Sequence, residues 1–211
     1  MLQLGSAPCS CGQSAHDPAL VAITGGPGAG KTAVLELAAR AFCEHVAVLP
    51  EAASIVFGGG FPRHDTAPGH RAAQLAIFHV QRQLETLVLE ERQVSIALCD
   101  RGTVDGLAYG TGPWPAYWKE VGTTHEREIA RYAAVVHLQT PDLAEGYNRD
   151  NPLRVESAQH ARVLDERIAS AWETHPRRFV IPSMGDFTDK ALAALKAIRD
   201  QLPTCCHAHP L

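Results

Sequence analysis

The stretch "AITGGPGAGKTAVLE", residues 22–36, sets four glycines, a proline and a lysine between an apolar run and a helical pattern. The run before it, "PALVAIT" (18–24), is short and continuously apolar, as expected of a strand buried on both faces. The stretch after it, "KTAVLELAARAF" (31–42), carries apolar residues at helical spacing. Between them, "GGPGAGKT" (25–32) satisfies G-x-x-x-x-G-K-[ST] in full and lies where that pattern has a mechanism, after a strand and at a helix start. Gly25, Gly26, Pro27, Gly28, Ala29 and Gly30 let the backbone wrap closely around a phosphate, with Ala33 in the helix that follows. Lys31 reaches β- and γ-phosphates, and the Thr32 hydroxyl suits magnesium. A glycine-rich turn with an accidental lysine is the alternative, and the strand–loop–helix register argues against it.

Outward from that loop, strands and helices alternate. "HVAVLP" (45–50), "VSIALCD" (94–100), "YAAVVHLQT" (132–140) and "RRFVIPS" (177–183) read as further strands. A glycine-rich loop, "FGGGFPRHDTAPGH" (57–70), precedes a long helix from Arg71 to about Arg92, with Ile77, Val80, Leu84, Leu87 and Val88 expected on its buried face. "ESAQHARVLDERIASAWETH" (156–175) and "DKALAALKAIRDQL" (189–202) are also helical. The fold class expected is α/β: a parallel sheet with helices on both faces. Residues 1–18 read as a flexible extension, 19–202 as one domain with a lid at about 141–156, and 203–211 as a tail.

The chain has 211 residues, 20% charged, and a formal charge of -4. It has no basic footprint for nucleic acid, no apolar run of the roughly 18 residues that span a membrane, and no secretory pattern at its start. A cytoplasmic protein is the expectation, and its oligomeric state is left open. Of six cysteines, Cys43 and Cys99 lie in apolar segments and read as reduced core residues. "CSC" (9–11) and "CCHAH" (205–209) hold zinc-binding residue types, but their spacing matches no standard finger, and no metal site is expected there.

Several polar residues fall at strand tips, where open parallel sheets gather ligands. Asp100, ending the third strand, is placed to hold the magnesium shell; a strand-capping carboxylate is the alternative. Arg101 follows it and points to transferred or acceptor phosphates. Glu51 follows the second strand and can take a proton from an attacking hydroxyl, unless it only opens a helix. Arg149 and Arg154, in "EGYNRDNPLRVES", are candidates to close over a triphosphate, with plain solvated arginines as the alternative. On the long helix, Arg71, Gln74, Phe78, Gln81 and Glu85 share one flank. Amides beside an aromatic ring suit a flat, hydrogen-bonding acceptor; a solvated flank is the plainer reading.

Together these motifs resemble the P-loop kinases, and nucleoside and nucleotide kinases among them. They are also similar to an AAA-like family of ATPases and kinases that shares "ITGGPGAGKT", "PEAA" and "DRGxxDxxAY", the last present as "DRGTVDGLAY" from Asp100 to Tyr109. The resemblance covers about residues 19–200. It implies a five-stranded parallel sheet with the third strand beside the first, a small lid, and ATP (or GTP) with Mg2+ as cofactors. It also implies an acceptor-side role for Glu51, phosphate binding by Arg101 and an acceptor contact by Asp105. The function expected is ATP- and magnesium-dependent phosphoryl transfer to a small molecule such as a nucleoside. A nucleotide-loaded switch acting through a protein partner is the alternative, weakened by the lack of an N-K-x-D stretch for reading guanine.

Overall fold

A computed structural model describes residues 3–9, 11–13, 15–110, 113–141 and 158–206. Its sheet runs β1 (Gln3–Leu4), β3 (Val46–Leu49), β4 (Ile96–Asp100), β2 (Ala19–Thr24), β5 (Tyr132–Leu138) and β6 (Arg178–Ile181) in spatial order. β2 to β6 pair in parallel. Among the described residues the sheet has six strands, not five. The extra one comes from the N-terminal extension expected to be flexible, where Gln3 and Leu4 pair antiparallel with Val48 and Ala47 and cover the exposed edge of β3.

β2 lies inside the sheet, and its side chains alternate between two cores. Val21 and Ile23 pack with α1 (Lys31–Ala41) and α8 (Phe187–Arg199), through Val34, Leu35, Ala38, Ala194 and Ile198. Leu20 and Ala22 face the opposite layer, which α3 (Ala67–Glu91), α5 (Trp114–Val121) and α7 (Ala158–Ala171) supply with Phe78, Trp118, Leu164 and Ile168. Shorter helices, α2 (Ala52–Gly58), α4 (Gly106–Tyr109) and α6 (His125–Ile129), lie between these elements in chain order. Among the described residues no helix is long and apolar enough to cross a membrane.

The helix expected from Arg71 begins earlier, at Ala67. Thr66 caps it by accepting from the Gly69 N–H at 3.2 Å, and Pro68 sits in its first turn. Its buried face also differs from the apolar stripe. Phe78, Gln81, Glu85 and Val88 point inward, while Leu87 is 45% exposed. Glu85 can be buried because Arg131 pairs with it and the Tyr132 hydroxyl donates to it at 2.6 Å. The displaced apolar residues Val80, Leu84 and Leu87 line a shallow groove with Ile55.

Candidate functional site

Because β3, β4 and β2 are adjacent and parallel, their carboxyl ends bring Glu51, Asp100, Arg101 and the glycine loop to one edge of the sheet. The loop itself takes left-handed conformations at Gly25 (φ 134), Gly28 (φ 78) and Gly30 (φ 94), the last being the residue that caps α1. A Cβ on Gly25 would stand 2.1 Å from the Leu138 carbonyl oxygen, so glycine is required there sterically as well.

Lys31 is buried and bends back, donating to the Gly25 and Gly26 carbonyls at 2.8 and 2.9 Å. Burial and the nearby Arg101 charge lower its pKa from 10.5 to about 7, against the pull of Asp100, Asp105 and Glu51. Thr32, next in the helix, is exposed. Burial and the neighbouring Glu51 raise Asp100 to about 6. A half-buried carboxylate pushed that way at the tip of β4 and a hydroxyl in the first turn of α1 are hard oxygen donors, so Asp100 and Thr32 fit Mg2+ by donor chemistry.

Arg101 holds a left-handed backbone (φ 72), a conformation that costs a non-glycine residue roughly 1–3 kcal/mol. Its guanidinium is fixed from three sides. Nε donates to Glu51 Oε1 at 2.9 Å, Nη1 donates to the Gly25 carbonyl at 3.3 Å, and Nη1 lies 3.5 Å from Asp105 Oδ1. The Tyr109 ring lies 5.3 Å away. Ser54 donates to the other Glu51 oxygen at 2.6 Å. Burial opposes ionisation of Glu51, but Arg101, Ser54 and Lys31 outweigh it and hold its pKa below the usual glutamate value.

Beside this pair is a cavity of about 130 Å³. Glu51, Arg101 and Asp105 form its polar end, Gln74 and Gln81 supply amides, and Phe57, Phe78, Tyr109 and Tyr117 supply aromatic walls. Three residues expected on the acceptor flank (Gln74, Phe78 and Gln81) therefore meet in one place, together with Asp105. Arg71 lies in an adjoining cavity of about 370 Å³ and pairs with Glu120. Glu85 lies beneath the first cavity, accepting the Gln81 amide at 2.9 Å. Arg149 and Arg154, with residues 142–156 of the expected lid, are outside the described residues.

Asp105 is more than a wall. Its oxygens accept from the Thr24 hydroxyl, the Gly102 N–H at 2.9 Å and the Trp172 indole at 3.1 Å, tying the turn after β4 to β2 and to the chain beyond α7. Asp105→Asn turns one acceptor into a donor facing these donors. It is expected to destabilise the protein by about 1–3 kcal/mol, the cost of a buried unsatisfied group, read as a lower midpoint in thermal unfolding.

Sequence reasoning missed the residues that brace the loop from behind. Asp165 on α7 accepts from the Gly26 N–H at 2.6 Å and the Thr140 N–H at 3.3 Å, and pairs with His137 at 3.1 Å. Lys190 on α8 donates to the Ala29 and Gln139 carbonyls at 2.9 and 2.5 Å. No local pattern marks either: Asp165 is 139 residues from its loop partner and Lys190 is 161.

A protein-family model described as an AAA domain matches residues 20–190. Among solved structures the chain resembles a thymidylate kinase from Candida albicans, one described as having broad substrate specificity. The TM-score is 0.59 at 13% identity, over 89% of this chain and 93% of that one. This likeness shows that the two chains share one α/β fold. No curated protein matches the chain.

Proposed function

Since this chain belongs to the AAA-domain family, we propose that it is an ATP- and Mg2+-dependent kinase whose acceptor is a flat, hydrogen-bonding small molecule such as a nucleoside. The observation that carries this reading is the cavity whose polar end holds the Glu51–Arg101 pair, with Arg101 also bonded to the Gly25 carbonyl of the phosphate loop. Donor and acceptor sites thus share one side chain, the arrangement direct transfer needs.

In this reading Gly25 to Thr32 wrap the donor phosphates, and Lys31 exchanges the Gly25 and Gly26 carbonyls for phosphate oxygens. Thr32 and Asp100 would hold Mg2+, which neutralises charge on the phosphates when bound. Glu51 receives the acceptor hydroxyl at the cavity's polar end and takes up its proton as the acceptor oxygen bonds to the γ-phosphorus. The bond from that phosphorus to the bridging oxygen breaks, with the nucleoside diphosphate leaving on the donor side. Arg101, fixed before substrate arrives, balances charge on the transferring group without reorganising. Phe78 and Tyr117 flank a ring, with Gln74 and Gln81 meeting its edge.

Purified protein incubated with Mg2+ and ATP, or GTP, against nucleosides, nucleotides and other ring-containing metabolites tests the proposal. A phosphorylated product at enzyme-dependent rates is expected from a compound that fits the cavity. Nucleotide-dependent capture of a protein partner, with no small molecule phosphorylated, would replace the kinase with a switch.

A further inference from the structure

At the end of α1 remote from the phosphate loop, a segment near each end of the chain meets the other. α1 is about 16 Å long at 1.5 Å per residue, and Cys43 and His45 lie just past its last turn. Ala7 bridges to Cys43, Glu44 donates its N–H to the Ala7 carbonyl at 2.8 Å, and Cys9 donates its N–H to Glu44 Oε1 at 3.1 Å. From the other end, a turn at Thr204–Cys206, closed by the Cys206 N–H on the Pro203 carbonyl at 2.8 Å, carries Cys206 into the same corner. The ligand atoms of Cys9, Cys43, His45 and Cys206 lie within 4.8 Å of one another, with Cys43 and Cys206 sulfurs 3.2 Å apart. Cys43, His45 and Cys206 are buried.

We propose that these four residues form a structural zinc site. Three thiolates and one imidazole are a standard closed donor set for zinc. Tetrahedral coordination at Zn–S about 2.3 Å and Zn–N about 2.0–2.1 Å sets ligand atoms about 3.5–3.8 Å apart, so closure needs shifts of roughly 1 Å at most. On binding, Zn2+ displaces the protons of three thiols and takes a neutral imidazole, leaving a centre of net charge −1.

Two further observations support the assignment. His45 is held from behind, its carbonyl accepting from the Ser95 and Ile96 N–H groups at 2.8 and 3.2 Å and from the Ser95 hydroxyl at 3.1 Å. Its ring also has a polar flank. Cys11 Sγ lies 3.5 Å from His45 Nδ1, and the His16 ring packs 4.1 Å from the His45 ring. His16 is only 8% exposed, and its Nε2 is buried with no hydrogen-bond partner among the described residues. Cys11, His16 and His45 themselves form a second group that could hold an ion. Cys11 and His16 therefore act as the shell that orients His45. The four ligands leave no open position, so the centre pins both chain ends to the corner between α1 and β3 and performs no chemistry.

The test uses the full chain, purified without an affinity tag under reducing conditions, with metal counted by mass spectrometry. One zinc per chain is expected. Cys9→Ser, Cys43→Ser, Cys206→Ser and His45→Ala should each lose it, while Cys99→Ser, which removes a buried thiol elsewhere, keeps it. Cys11→Ser and His16→Ala should weaken zinc affinity about 10–100-fold. Should the ligand variants fail to fold, metal-stripped wild type titrated with Co2+ is expected to show tetrahedral d–d bands and thiolate-to-cobalt charge transfer. Reduced wild type that takes up neither Zn2+ nor Co2+ overturns the proposal. So does zinc retained by the Cys43→Ser/Cys206→Ser double variant, or a Cys43–Cys206 disulfide found in place of metal.

Discussion

Lys31→Met is expected to cut phosphoryl transfer by roughly 10²–10³, the scale of removing one preorganised donor to developing charge, and yet to raise the stability of the nucleotide-free protein. The rate loss follows from removing the charge, and the stability gain from a depressed pKa. Burial takes Lys31 from 10.5 to about 7, so the unfolded chain binds this proton more tightly than the folded one. Between pH 7 and 10.5 stability should therefore rise with pH, and below 7 the full penalty applies. Methionine keeps the stem and removes the charge. Each pKa unit corresponds to about 1.36 kcal/mol, and loss of the two bonds to Gly25 and Gly26 returns about 1 kcal/mol apiece. A net gain on the order of 3 kcal/mol, or roughly 6–12 °C in midpoint, is expected at pH 6. It reaches zero at about pH 9 and becomes a loss of about 2 kcal/mol by pH 10.5, where no charge penalty is left to offset the missing hydrogen bonds. Calorimetry of the variant with Mg2+ and ATP, beside thermal unfolding at both pH values, checks this. Undiminished nucleotide affinity would remove Lys31 from the phosphate site. A variant less stable than wild type at pH 6 would show that its two hydrogen bonds outweigh the burial of its charge.

What the sequence made legible was whatever physics keeps local. Continuous apolar runs marked β2, β4 and β5, because a strand covered on both faces has no polar side. The glycine loop was legible because its positive φ angles and close approaches admit no other residue at Gly25. Periodicity failed on α3, where it assumes that polar residues face water. Gln81 and Glu85 are buried instead: Gln81 donates to Glu85, Glu85 is satisfied further by Arg131 and Tyr132, 46 and 47 residues away, and the apolar stripe was left partly exposed. The same distance hid Asp165 and Lys190, whose role exists only once the sheet has closed. The cysteines are the sharpest instance. Read by spacing, "CSC" and "CCHAH" match no finger. Folding adds Cys43 and His45 from the α1–β3 corner, which no terminal motif could announce.

Glu51→Gln should lower transfer to the true acceptor by about 10²–10⁴, the usual share of general acid–base catalysis, while nucleotide affinity stays close to wild type. Glutamine retains an oxygen for Arg101 Nε and a group for the Ser54 hydroxyl, so the shape of the pair survives. Its charge does not, and that loss has a second signature. The Glu51 carboxylate raises Asp100 and also raises Lys31 against its burial. In the wild type, productive binding needs Asp100 ionised, above about pH 6, and Lys31 protonated, below about pH 7. The pH profile of kcat/KM should therefore be a narrow bell between those values, with Glu51 itself ionised throughout because Arg101 holds its pKa low. Removing the negative charge lowers both neighbours' pKa values, so the residual activity of Glu51→Gln should peak at lower pH than the wild type. Asp100→Asn should abolish the acid limb and, because the Asp100 charge holds Lys31 up, also move the basic limb to lower pH. Single-turnover transfer across pH 5 to 9 separates the two roles. Equal transfer rates in wild type and Glu51→Gln would remove Glu51 as the base. A lowered rate with an unmoved bell would keep the base but break the electrostatic link from Glu51 to Asp100 and Lys31.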